Sequence, residues 1–173
     1  MNAWIPVAGT PRARLVEQAM VQFGRRGYEN VAVAEVARAA GVTTGALYHH
    51  FGSKAGLYDL VRTEVERRVR DHMDGAGAVP GSSLQDVLRV GFEAAWTLEA
   101  ARMLAESPPV DRSDRLADFI IRRGDRLHPG LGPILVGAWQ AALAESVRDG
   151  AQEPARSALV ALLRGIEPET RGG

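Results

Sequence analysis

The chain has 173 residues, enough for one domain or for a small module fused to a slightly larger one, and too few for a large multidomain enzyme. With 46% hydrophobic and 24% charged residues it has the composition of an ordinary globular protein, and the absence of cysteine excludes disulfides, thiol nucleophiles and cysteine metal sites. The charges balance at 21 basic against 21 acidic groups, which argues against a uniformly basic nucleic-acid binder, and the only lysine is Lys54.

Glycine and proline cluster in a few places and divide the chain into helix-length pieces without strand-like segments, so the expected fold class is all-α. From Pro11 to Arg26 the residues Leu15, Ala19 and Phe23 recur at helical spacing, and Gly27 ends the helix. Short helices are predicted over Val33–Ala40, ending at Gly41, and over Thr44–His50, ending near Gly52. A longer one runs from Lys54 to about Asp71, with Leu57, Leu60, Val61 and Val65 inward and Glu64, Glu66, Arg67, Arg68 and Arg70 largely solvated. Residues 74–81, DGAGAVPG, read as a linker that can hardly pack, which divides the chain into modules 1–73 and 82–173. Ser82 with Gln85 is a capping-box pattern for a nearly all-apolar helix reaching about Glu106, before Pro108 and Pro109. Leu116, Phe119, Ile120 and Leu127 mark the next helix, which HPGLGP (128–133) interrupts. Helices over Ile134–Asp149 and from Pro154 to about Ile166 complete the prediction.

The informative stretch is Val33 to Lys54. Two short helices around Gly41 make a helix-turn-helix, whose second helix can lie in a DNA major groove. Thr43 is the expected N-cap of that second helix. Thr44, Gly45, Tyr48 and His49 then face away from the side on which Leu47 and Phe51 sit four apart. Hydroxyls and imidazoles bond phosphates and base edges, and Gly45 permits close approach of the duplex backbone. Lys54 stands in the first turn of the following helix, where a cation opposes the macrodipole and calls for a negative partner; with Gly52 and Ser53 it forms a phosphate clamp.

Residues 15–61 resemble the DNA-binding region of the TetR family of bacterial transcriptional regulators. The marks are Ala19 and Phe23 before Gly27 and Tyr28, the run from Val36 to Val42, the run from Gly45 to Phe51, and Ser53-Lys54. The resemblance implies that Thr43, Thr44, Gly45, Tyr48, His49 and His50 meet DNA and that Lys54 contacts phosphate. Where the family usually carries a threonine before the first short helix this chain has Ala32, so a cap is lost and Arg12, Arg14 and Arg38 become candidates for additional backbone contacts. The implied function is a transcriptional repressor that binds a palindromic operator in double-stranded DNA as a homodimer and is released by a small apolar or amphipathic effector.

For the second module the resemblance implies an effector cavity and a four-helix dimer interface. Phe92, Trp96, Met103, Leu116, Phe119 and Ile120 are the cavity candidates, with His128 as a polar tip; taken singly, the apolar ones also read as core. Trp139, Leu143, Leu159, Leu162 and Leu163 are the interface candidates, and intramolecular core fits them equally well. No metal or cofactor is expected, and no enzyme. His49 and His50 diverge by about 100° on a helix, His72 and His128 are isolated, and the GLG of HPGLGP follows no strand. A ligand-free structural DNA-binding dimer is the remaining alternative. The longest nearly apolar stretch, 133–144, is shorter than the roughly 18 residues of a membrane span, and the amino terminus shows no leader pattern, so no membrane partner and a cytoplasmic location are expected. Divided at the linker, the overall neutrality separates: residues 1–72 hold 10 basic and 7 acidic groups, net +3, and residues 73–173 hold 11 and 14, net −3.

Overall fold

The computed structural model describes residues 9–107, 114–148, 150–164 and 166, and among these all regular structure is helical. The amino-terminal unit is α1 (Pro11–Arg26), α2 (Val33–Ala39) and α3 (Thr44–Phe51), seated on the start of α4 (Lys54–Gly77). Thr10 caps α1 by accepting from the Ala13 N–H at 3.2 Å, with proline at the first helical position where no donor is needed. Leu15, Ala19 and Phe23 of α1 bury against Val36, Leu47, Leu57 and Tyr58, so this unit has a core built from all four helices.

The α4 helix does not stop near Asp71. It continues through Asp74 to Gly77, so half of the expected 74–81 linker is helical and only the short turn before α5 remains. The reason is tertiary: Met73 is fully buried against α5 (Leu84–Thr97), and Gly91 of α5 supplies the room, since a Cβ there would overlap the Met73 side chain. One apolar core then runs from Leu15 through Met73 and Phe92 to Leu163. The capping box that opens α5 is Ser83 with Asp86, one residue later than the Ser82–Gln85 pattern suggests. Ser83 Oγ accepts from the Asp86 N–H and Asp86 accepts from the Ser83 N–H, both at 3.1 Å.

The apolar stretch reaching Glu106 is two helices, α5 and α6 (Ala101–Ala105). Between them the Ala100 N–H reaches back to the Ala95 carbonyl and the Glu99 N–H to the Trp96 carbonyl, both at 2.8 Å, with Glu99 at φ 53°. This is a Schellman closure with glutamate in the left-handed position that glycine usually fills. The corner brings the Glu99 carbonyl onto Gly24 of α1, so closely that a Cβ on Gly24 would meet that oxygen. The remaining helices are α7 (Arg115–Leu127), α8 (Leu131–Ser146) and α9 (Gln152–Arg164). Both α8 and α9 begin earlier than expected, because Pro133 and Pro154 are tolerated within a first turn.

One charged cluster was not anticipated. Glu64 and Glu66, expected to be solvated, are buried, and Arg62 beside them is 1% exposed. Arg62 donates from Nε to Glu66 at 2.9 Å and from Nη1 to the Tyr58 hydroxyl at 3.0 Å and the carbonyls of Met103 and Glu106 at 2.6 and 2.8 Å. Asp114, the N-cap of α7, lies 3.6 Å from its Nη2. Burial pushes the Glu64 carboxyl up, but hydrogen bonds from Arg67 and Arg68 and their charges outweigh it and hold the group below its ordinary range. Replacing Arg62 by alanine removes the Nε donor from buried Glu66 and the Nη1 donor from two interior carbonyls, so urea denaturation of that variant should show a loss of about 3–5 kcal/mol. A loss no larger than that of an exposed arginine on α7 would mean that the cluster does not hold the chain together.

Candidate nucleic-acid interface

The surface of interest is the outer side of α3. Leu47 is fully buried and fastens the helix to α1 and α2, while Thr43, Thr44, Gly45, Tyr48, His49 and His50 are all exposed. The turn before α3 uses Gly41 at φ 66°, a conformation that favours glycine. Thr43 caps α3, its hydroxyl oxygen accepting from the Ala46 N–H at 3.2 Å. Tyr48 keeps half of its surface in solvent, and the His49 and His50 rings lie 5.5 Å apart in an edge arrangement. A side chain added at Gly45 would have only the Thr43 Oγ1 near it, so this position leaves open space above the helix.

Lys54 is the first residue of α4 and half-buried, with Ser53 capping the helix through the Gly56 N–H at 2.9 Å. Within the chain its Nζ lies 4.3 Å from the centroid of the Tyr28 ring, a cation–π contact that leaves the charge without a counter-ion among the described residues. Tyr28 packs edge-on against Tyr58 at 5.0 Å, and Tyr58 against Phe23 at 5.1 Å. Sequence reasoning marked Tyr28 only as part of a motif, since its ring and Lys54 are far apart in the chain. A ring face satisfies one side of an ammonium, which carries three donors and keeps capacity for a phosphate.

The three accessory arginines divide. Arg14 is spent on the Ala40 and Gly9 carbonyls at 2.9 and 2.8 Å, and ties α1 to the end of α2. The Arg12 guanidinium lies 5.7 Å from the Phe51 ring centroid, and Arg38 is exposed. Ala32 sits at the N-cap of α2 and makes no side-chain cap bond.

The expected effector residues do not converge on one cavity. Phe92 and Met103 are fully buried in the common core, and Phe119 lies beneath the Arg123 guanidinium at 3.9 Å. Leu116 and Ile120 border an enclosed void of only ≈ 10 Å³ with Arg62, Asp114, Trp139 and Gln140. Trp96 faces a different groove, and His128 is exposed, its Nδ1 2.8 Å from the Pro129 carbonyl oxygen. The interface set is corrected similarly. Trp139, Leu143, Leu159 and Leu163 are buried in their own chain, with Trp139 donating to the Leu88 carbonyl at 3.1 Å, so they leave no surface for a mate. Leu162 alone of the five stays outside, 53% exposed, and Ile134 of α8, 65% exposed, was missed because its neighbours read as uniformly apolar.

A helix-turn-helix unit at the amino end of a larger helical body, with hydrogen-bonding groups along the outer face of its second short helix, defines the class of bacterial helix-turn-helix regulators. Residues 15–61 match the model of the bacterial regulatory proteins, tetR family. The chain is 38% identical over 87 residues to the HTH-type transcriptional repressor KstR2 of Mycobacterium tuberculosis, a match covering 48% of this chain and 43% of the repressor. It is 29% identical over 150 residues to the HTH-type transcriptional regulatory protein RaaS of the same organism, covering 85% of this chain and 62% of that protein. A solved putative tetR-family regulator from Shewanella sp. PV-4 superposes with a TM-score of 0.61 at 28% identity, covering 89% of this chain and 96% of that one. Residues 15–61 therefore carry the region that defines the bacterial regulatory proteins of the tetR family, and the chain as a whole shares the fold of the solved regulator. The KstR2 match spans less than half of that repressor's length, and these relatives are regulators rather than enzymes. No helix among the described residues is long and apolar enough to cross a membrane.

The missing cap gives a direct check on the local geometry. Ala32→Thr should restore an acceptor for the free N–H groups of α2 and raise stability by about 0.5–2 kcal/mol in thermal denaturation; an unchanged or lower midpoint would show that the N-cap geometry at 32 is not as described.

Proposed function

We propose that this chain is a DNA-binding transcriptional regulator that represses by occupying a palindromic operator as a homodimer and lets go when a small apolar or amphipathic effector binds. The observation that carries the reading is the outer face of α3, where Thr44, Gly45, Tyr48, His49 and His50 are exposed together, followed by Lys54 at the start of α4. Thr43 holds the amino end of α3 in shape by accepting from the Ala46 N–H and keeps its O–H to donate to DNA. Insertion of α3 into the major groove brings Lys54 to a phosphate beside it, and the amino terminus of α4 adds backbone N–H groups. Two such helices about 34–36 Å apart read successive major grooves on one side of the duplex.

The mate that sets this spacing is best accommodated on α8 and α9. Ile134, Gly137 and Ala141 of α8 and Ala158, Ala161 and Leu162 of α9 are exposed on adjacent, mutually packed helices. Small residues on both helices permit close approach of a symmetry-related pair, and Ile134 and Leu162 supply the apolar area. Effector release then follows as a population shift: a ligand that prefers another arrangement of the body loosens DNA by its differential affinity, typically about 1–3 kcal/mol.

Two measurements test this. With an operator obtained by in vitro selection from random duplexes, Lys54→Ala and Tyr48→Ala should each weaken binding by about 1–2 kcal/mol. Lys54→Ala should also lower the salt dependence by about one unit per chain, which Tyr48→Ala should not. Unaltered affinity in both variants would refute the interface. For the dimer, light scattering should report twice the chain mass, and Leu162→Glu should shift it toward one chain while the far-ultraviolet circular dichroism stays helical. A wild-type mass of one chain at micromolar concentration would overturn the homodimer.

A further inference from the structure

The α1 helix ends against the α5–α6 corner, and beside that contact opens a groove of ≈ 380 Å³ lined by Gly24, Arg25, Trp96, Glu99, Arg102 and Val147. A second hollow of ≈ 250 Å³ shares Arg102 and Val147 with it and adds Arg148 and Glu106. The first alone is within the size range of small-molecule sites. Of the expected effector residues Trp96 lines the first, while Leu116 and Ile120 border the separate void of ≈ 10 Å³.

The lining points to a definite ligand chemistry. The Trp96 indole is held in place because its Nε1 donates to Ser146 Oγ at 3.0 Å, and the hydroxyl of Ser146, fully buried, donates in turn to the Leu143 carbonyl at 2.7 Å. With its N–H spent, half-buried Trp96 offers the groove apolar ring surface. Of the three arginines that line the two hollows, Arg25 is paired with Glu99, which receives both its forks at 2.8 Å, and Arg148 with Glu145 at 2.8 Å, while Glu106 accepts from the Tyr28 N–H at 3.2 Å. Among the described residues Arg102 has no carboxylate partner. A guanidinium with its donors free of a bound carboxylate, next to a fixed indole, is complementary to an anion carried on an aromatic ring.

The place of the groove also decides what occupation does. The Glu99 carbonyl rests on Gly24 without slack, Glu99 has a left-handed φ, and the Arg25–Glu99 pair that closes the contact is 61% and 49% exposed. An exposed pair is a weak fastening. A ligand that takes Arg25 or Arg102 and presses on the corner therefore moves α1, the helix whose Leu15, Ala19 and Phe23 carry α2 and α3.

We propose that this groove binds a small aromatic anion, an aromatic carboxylate or sulfonate, and that its occupation shifts α1 against the body. The shift in DNA affinity rests on the regulator reading above; the binding site does not. The test uses the full chain with 1-anilinonaphthalene-8-sulfonate and its uncharged counterpart N-phenyl-1-naphthylamine as fluorescent probes. Arg102→Gln should weaken the sulfonate about tenfold and leave the uncharged amine within about twofold; Trp96→Leu should weaken both, and Arg126→Gln, on the exposed end of α7, neither. Arg102 is at the rim, so its variant is expected to melt like the parent, which keeps the result independent of folding. Sulfonate binding that is absent, or equal in the parent and Arg102→Gln, overturns the site. In operator titrations the sulfonate should reduce affinity at least about fivefold in the parent and not in Arg102→Gln; a saturated groove with unchanged operator affinity overturns the coupling. A chain that binds no selected duplex even without the probe instead overturns the regulator reading, while the fluorescence titration decides the site separately.

Discussion

The buried guanidinium of Arg62 is the constraint around which the rest of the molecule is arranged. A charge taken out of water survives only if its donors are met, and here one side chain on α4 satisfies them with Glu66, the Tyr58 hydroxyl and two carbonyls at the end of α6, within reach of the Asp114 carboxylate that caps α7. Three elements distant in sequence are thereby held at one place. Burial pushes the Tyr58 phenol above its ordinary range despite the neighbouring Arg62.

From Tyr58 the same set of contacts continues toward the proposed DNA surface. Tyr58 meets Phe23 and Tyr28 edge-on or nearly so, and the Tyr28 ring lies under the Lys54 ammonium. Glu106 closes the circuit by accepting from the Tyr28 N–H. The residue argued to hold a phosphate and the carbonyls that end α6 therefore belong to one packed cluster, and a displacement at the α6 corner has a physical route to α3 and α4. Close packing gives such a route little compliance, so small shifts are transmitted rather than absorbed.

The carboxy-terminal half shows why apolar composition is an ambiguous signal. Trp139, Leu143, Leu159 and Leu163 lie on the faces that α8 and α9 turn toward α5 and each other, while Ile134 and Leu162 lie on the opposite faces. All six are large and apolar, and only the packing of the helices separates core from candidate interface. Phe92, Met103, Leu116, Phe119 and Ile120 are interior in the same way, whereas the open groove is lined by Trp96 of the expected set together with Arg25, Glu99 and Arg102, side chains that a search for apolar residues passes over.

The sequence by itself determined the all-helical class, the short helices around Gly41, the exposed face of α3 and the position of Lys54. Each of these rests on local signals: periodicity, caps and turn residues act within a few residues of one another. It did not determine that α4 runs on to Gly77, that the Glu106 stretch breaks at Glu99, or that Arg62, Glu64 and Glu66 turn inward. Those were decided by contacts between residues distant in the chain: Met73 filling the space above Gly91, the Glu99 carbonyl seated on Gly24, and the α6 carbonyls reaching Arg62. A helix propensity or a charge pattern is a property of a segment, but the partner that stabilises a buried ion or a strained turn exists only once the chain has folded.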